Sequence, residues 1–162
     1  MRHVFLFLSL LLLGACQTVQ PSRTAFTPQQ VKALQQQGFE PLGGSWQFGM
    51  ADRLLFATDE STLIPDQKVA IGRMSGVLTR VGIRGARVEG HTDSSGAADY
   101  NDVLSLRRAQ AVAEALVGGG MVRSAMQVAG MGSRIPVESN QSASGRRENR
   151  RVVIIVSPAV AD

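Results

Sequence analysis

The chain has 162 residues, 44% of them hydrophobic and 19% charged, which suits one folded domain with a core of its own. A single cysteine excludes an internal disulfide, and 17 basic against 13 acidic residues leave only a modest positive excess. That excess is uneven: residues 103–162 hold eight arginines against four acids, which suits either a solvated surface or an anionic partner such as cell wall, nucleic acid or lipid headgroups.

The N-terminus reads as a targeting segment. Arg2 is followed by an apolar run from Val4 to Leu13, broken only by Ser9. The run is shorter than the roughly 20 residues needed to span a bilayer and fits a signal peptide over 1–15. It ends in Leu13-Gly14-Ala15-Cys16, which resembles a bacterial lipobox. Cys16 is then the lipidation site, and two or three acyl chains anchor a protein durably where one does not. Gln17 follows the cysteine in place of the aspartate linked to inner-membrane retention, so the outer membrane is expected.

Residues 16–26 read as a lipidated tether. In the next segment, 27–50, Thr27, Pro28 and Gln30 predict a capped helix over 28–37 with Val31 and Leu34 on its apolar side. Pro41 to Gly44 reads as a turn, and 45–50 and 53–58 as short strands. In the stretch 51–157, Pro65 and Asp66 open a helix to Val81, with Ala70, Met74, Val77, Leu78 and Val81 on one face. Strands follow at 86–91, 126–130 and 151–156, with a helix from Asp99, its expected N-cap, to Val117 between the first two. This alternation predicts a two-layer α/β (α+β) sandwich with helices on one face of a sheet, and residues 158–162 form a tail.

Gly90-His91-Thr92-Asp93, Gly96, Asn101, Leu104-Ser105, Arg108-Ala109, Val112 and Leu116 resemble the motif of the OmpA-like family. Gly130-Met131-Gly132, Pro136, Asn140, Gly145-Arg146 and Asn149-Arg150-Arg151-Val152 extend the match. The resemblance implies a mixed sheet and non-covalent binding of diaminopimelate in peptidoglycan stem peptides. It places ligand contacts at Asp93 and Arg108, and further ones at Asn101, Leu104, Thr58 and Asp59. Many relatives carry aspartate where this chain has Ala57, so the rim of the pocket is expected to differ.

The residues fit that chemistry. Diaminopimelate carries an ammonium and a carboxylate on one short branch, so its binder needs a fixed anion and a fixed cation. Asp93 follows a strand, and Asn101, Leu104 and Arg108 fall on one side of the next helix. The guanidinium fork matches a carboxylate. Alanine at 93 or 108 is expected to abolish most binding and leave stability nearly unchanged. Arg150 and Arg151 either brace the fold or touch the wall.

Enzymatic readings find little support. His91 is the one histidine after the signal peptide and reads as packing; no metal cluster, Gly-x-Ser-x-Gly elbow or P-loop appears, and no cofactor is expected. A nucleic-acid reading rests on Arg146, Arg147, Arg150 and Arg151 alone, and a periplasmic address opposes it.

Gln30-Val31, Leu34, Gln37-Gly38-Phe39-Glu40, Trp46 to Met50 and Leu55-Phe56 resemble one branch of the family. Its outer-membrane lipoproteins bind a periplasmic repressor and so relieve inhibition of an inner-membrane diguanylate cyclase. The resemblance implies such a partner, with Phe39, Trp46 and Phe48 as its contacts. A plain cell-wall anchor is the alternative, and a homodimer stays open. The helix at 28–37 is too short to be stable alone in water, so it must dock on the domain or on a partner. Cys16→Ser is expected to leave the domain folded and release it from the membrane. Fractionation with a fatty-acid label checks this; unlabelled wild-type protein in the soluble periplasm would overturn the lipoprotein assignment.

Overall fold

The computed structural model describes residues 25–56 and 60–158. The signal peptide, Cys16, residues 17–24, Thr58, Asp59 and residues 159–162 lie outside the described residues.

Helix α1 (Pro28–Gln36) begins as its capping box predicts. The Gln30 N–H donates to Thr27 Oγ1 (3.3 Å), and the Thr27 N–H donates to Gln30 Oε1 (2.9 Å). The chain turns at Gly38 (φ 81°) into a hairpin of β1 (Glu40–Leu42) and β2 (Ser45–Ala51). Gly43 and Gly44, with φ of 51° and 89°, form the two-residue connection, a conformation that favours glycine. The stretch expected only as a turn therefore also supplies a strand.

The strand expected at 53–58 is not formed among the described residues. Asp52–Leu55 is a single helical turn, α2, and Phe56 makes only an isolated bridge to Leu63. The burial pattern explains this. Asp52 and Leu55, three apart, both face inward, while Leu54 is exposed. A strand would have pointed them to opposite faces.

The remaining elements are α3 (Pro65–Arg80), β3 (Ala86–His91), α4 (Ala98–Gly118), β4 (Met126–Gly130), α5 (Ala143–Asn149) and β5 (Arg151–Val156). Ala97 takes the N-cap position of α4, and Asp99 lies in the first turn, where its charge suits the helix dipole. The five strands form one mixed sheet in the order β1-β2-β5-β3-β4, with only β3 and β4 parallel. Helix α4 packs on β3 and β4, and α3 packs on α4. The expected layered α/β architecture is thus observed. Leu78, Val112 and Leu116 from the helices meet Val88, Val152, Ile154 and Val156 from the sheet in a continuous buried core.

One close approach sets the position of α4. A Cβ on Gly90 would lie 2.0 Å from the Ser105 carbonyl oxygen, so only glycine lets the helix backbone come this near β3. The N-terminal half of α4 is thereby held beside the end of β3.

The 27–50 segment is built into this fold. Strand β2 pairs with β5 from Trp46 to Ala51, and the boundary expected after residue 50 falls inside β2. Leu34 is 0% exposed, and Gln30 Nε2 donates to the Val81 carbonyl (3.1 Å), fixing α1 beside the end of α3. Phe39, expected to face a partner, is buried in the core, with its ring 5.4 Å from that of Phe48. The turn at Gly38 folds it beneath the sheet. Leu34→Ala should therefore cost about 2–5 kcal/mol in urea unfolding, as for a buried leucine. A change within the roughly 0.5 kcal/mol of a surface substitution would show that α1 adds nothing to the fold.

Candidate functional site

At the end of β3 the fold opens a cleft of about 740 Å³. Asp52, Phe56, Ile64, Thr92, Asp93, Tyr100, Asn101, Leu104, Arg108 and Arg150 are among its lining residues. Four of the residues expected at a ligand site, Asp93, Asn101, Leu104 and Arg108, are thus brought together. Thr58 and Asp59 lie outside the described residues.

Asp93 sits two residues past β3 and is only 6% exposed. Its Oδ1 accepts from the Ser95 N–H (2.8 Å), which fixes a tight local turn. Its Oδ2 accepts from Arg150 Nη1 (2.5 Å). Asn101 Nδ2 donates to the carbonyls of Ser95 (2.8 Å) and Asp93 (3.4 Å), so α4 pins the same turn. Burial opposes ionisation of Asp93. The Ser95 N–H and the Arg150 guanidinium outweigh it and hold the carboxyl below its ordinary value of 3.8.

Arg108 is 4% exposed. Its Nε donates to the Glu60 carbonyl (3.0 Å) and its Nη1 to Asp52 Oδ2 (2.9 Å). The guanidinium carbon lies 5.2 Å from the centroid of the Phe56 ring, within cation–π range. Arg150 Nε lies 3.6 Å from the same Asp52 oxygen. Asp93 and Arg108 therefore do not pair with each other. They are the ends of an alternating chain, Asp93–Arg150–Asp52–Arg108. Thr92 Oγ1, also buried, has no hydrogen-bond partner among the described residues.

Asp52 and Arg150 were not expected in this cleft. A strand over 53–58 would leave no inward turn to aim Asp52, which the helical turn Asp52–Leu55 supplies. Arg150 stood in a basic run with no feature to separate it from its neighbours. Arg151, by contrast, braces the fold: its Nη1 donates to the Asn149 carbonyl and its Nη2 to the Ile135 carbonyl, both at 3.2 Å. Asn149 ties the preceding loop through the N–H groups of Val137 (2.8 Å) and Glu138 (3.0 Å) and through Asn140 Oδ1 (2.9 Å). Asn140 Oδ1 in turn accepts from the Ser94 N–H (3.2 Å), beside Asp93.

The alternation of two buried carboxylates with one buried and one half-buried guanidinium beside an apolar wall can hold a small group carrying both charges. Residues 55–150 match the model of the OmpA family, and the chain belongs to that family. It is 42% identical over 152 residues to a lipoprotein named YfiB from Escherichia coli K12, covering 93% of this chain and 92% of that one. It is 41% identical over 151 residues to the outer-membrane lipoprotein YfiB of Pseudomonas aeruginosa, covering 93% of this chain and 89% of the relative. Among solved structures, the cell wall anchor of the T6SS from Pseudomonas aeruginosa superposes with a TM-score of 0.65 at 26% identity, covering 84% of this chain and 99% of that one.

His91 lies outside the cleft, next to Arg151 across the strand pair. Neither ring nitrogen has a hydrogen-bond partner among the described residues, and Nε2 is 3.6 Å from Glu89 Oε2. Burial, and then the charge of Arg151, lower its pKa from 6.5 to about 4. The folded state therefore disfavours a proton that the unfolded chain accepts. Stability should fall by up to about 3 kcal/mol as pH drops from 6.5 to 4. Asp93, with its lowered pKa, adds a further loss only below about 3.8. His91→Phe should flatten the upper part of this profile in urea titrations at stepped pH. An unchanged slope would mean that His91 is protonated at little cost.

Proposed function

We propose that this protein is an outer-membrane lipoprotein that grips peptidoglycan non-covalently, with its cleft taking the diaminopimelate side chain of a stem peptide and with no catalytic step. The observation that carries this reading is the alternating chain of two carboxylates and two guanidiniums in one cleft. Asp93 serves the ligand's ammonium, and Arg108 its carboxylate. Asn101 holds the turn that carries Asp93, and Leu104 forms the apolar wall. Thr58 and Asp59 are proposed as further contacts, and Cys16 as the lipidated residue. Charge-assisted hydrogen bonds contribute about 1.5–3 kcal/mol each, so a few of them give micromolar-range affinity. A repeating polymer makes that affinity sufficient.

The reading extends to a regulatory role, in which the protein captures a YfiR-like periplasmic repressor of a diguanylate cyclase. Its support is the similarity to the YfiB lipoproteins over 93% of this chain, well beyond the residues of the family match. Half-buried Trp46 and Phe48 are the accessible contacts for such a partner, whereas Phe39 would first have to leave the core.

Sedimentation with insoluble peptidoglycan tests the cleft. Alanine variants are poor probes, because removing one member of a buried pair strands its partner's charge at a cost of about 3–5 kcal/mol. Arg108 and Asp52 form such a buried pair, which revises for Arg108 the expectation that alanine would leave stability nearly unchanged. Asp93→Asn and Arg108→Gln keep a hydrogen-bonding group at each position. Each should bind peptidoglycan at least about tenfold more weakly. Two folded variants that co-sediment like the wild type would overturn the assignment.

A further inference from the structure

Both oxygens of Asp93 are already engaged, Oδ1 by the Ser95 N–H at 2.8 Å and Oδ2 by Arg150 at 2.5 Å. Asp52 differs. Its Oδ2 meets Arg108 at 2.9 Å and lies 3.6 Å from Arg150, while its Oδ1 makes no hydrogen bond among the described residues. Asp52 also lines the cleft. Arg53 lines the cleft too, so without Asp52 three guanidiniums would face Asp93 alone; with it, Arg108 and Arg150 each have a carboxylate beside them.

We propose that Asp52 is the specificity-determining carboxylate of this cleft: it balances the two guanidiniums, so that the site selects a side chain carrying an ammonium with its carboxylate over one carrying a carboxylate alone. The inference rests on the peptidoglycan reading above. A ligand carboxylate is drawn to the guanidiniums whether or not an ammonium accompanies it. The ammonium, however, would meet three arginines and, without Asp52, a single aspartate committed to other donors. Asp52 supplies the second negative charge. At roughly 6 Å and an effective dielectric near 20, one unit charge changes an affinity by more than tenfold.

The test uses three soluble tripeptides, L-Ala-γ-D-Glu-X, with the folded lipid-free protein and isothermal titration. X is meso-diaminopimelate, 2-aminopimelate (which lacks the terminal ammonium) or lysine (which lacks the terminal carboxylate). The wild type should bind the diaminopimelate peptide at least about tenfold more tightly than the other two. Asp52→Asn keeps an acceptor for Arg108 and removes only the charge. It should reduce the preference for diaminopimelate over aminopimelate by about tenfold or more, and Asp52→Glu should largely restore it. A purely structural role would weaken both peptides equally and leave the preference unchanged, which would overturn the proposal. So would an Asp52→Asn variant that binds all three peptides as the wild type does. If Asp52→Asn does not fold, Asp52→Ser retains a smaller acceptor and is read by the same preference. A wild type that ignores all three peptides would overturn the peptidoglycan reading itself, an outcome distinct from a wild type that binds but does not depend on Asp52.

Discussion

Three charged side chains withdrawn from water at one end of a sheet, with a fourth half-buried beside them, cost free energy that only pairing can offset. Asp93, Arg150, Asp52 and Arg108 meet that demand, and they come from four places: the turn after β3, the residue before β5, the first position of α2, and the middle of α4. No one of these segments can move without leaving a charge unpaired. The Asp52 N–H also donates to the Arg150 carbonyl (3.1 Å), so backbone and side chains close the same junction. Gly90 makes the arrangement possible by letting α4 lie against β3, which brings Arg108 and Asn101 to the turn that carries Asp93. The cleft is therefore a consequence of how the sheet and helix layers join, with its charges set before any ligand arrives.

The parts of this architecture that the sequence announced share one property: their signal is periodic and local. The strands at 86–91, 126–130 and 151–156 have the expected bounds, because short apolar runs between turn residues leave little choice. The capping box at Thr27 and Gln30 is equally local. Residues 52–56 carried no such signal. Two leucines and a phenylalanine in succession fit a strand as well as a turn of helix, and only tertiary contact decides between them. The placement of Asn101, Leu104 and Arg108 on one side of a helix could be counted from their spacing. Asp52 could not be found that way, because its partners lie 56 and 98 residues further along the chain. Long-range pairing of this kind leaves no mark in a single sequence.

The segment before residue 51 has a different standing in the structure from the one its composition suggested. A linker would be expected to touch the domain lightly. Here β2 contributes Trp46, Phe48 and Met50 to the margin of the core, and α1 buries Leu34 against it. Residues 28–51 thus belong to the domain, and α1, β1 and β2 cannot pay out as slack while the sheet is intact.

The order β1-β2-β5-β3-β4 puts the last strand of the chain second from neither edge but in the centre of the sheet. Until residues 151–156 are present, the β1-β2 hairpin and the parallel β3-β4 pair have no strand between them, and Val152, Ile154 and Val156 are missing from the core they share. The β1-β2 hairpin alone is marginal in water at best, while β3 and β4 have α4 to cover them. The two halves of the sheet therefore cannot join into one surface until the final strand lies between them, so closure of the core waits on the last described strand of the chain.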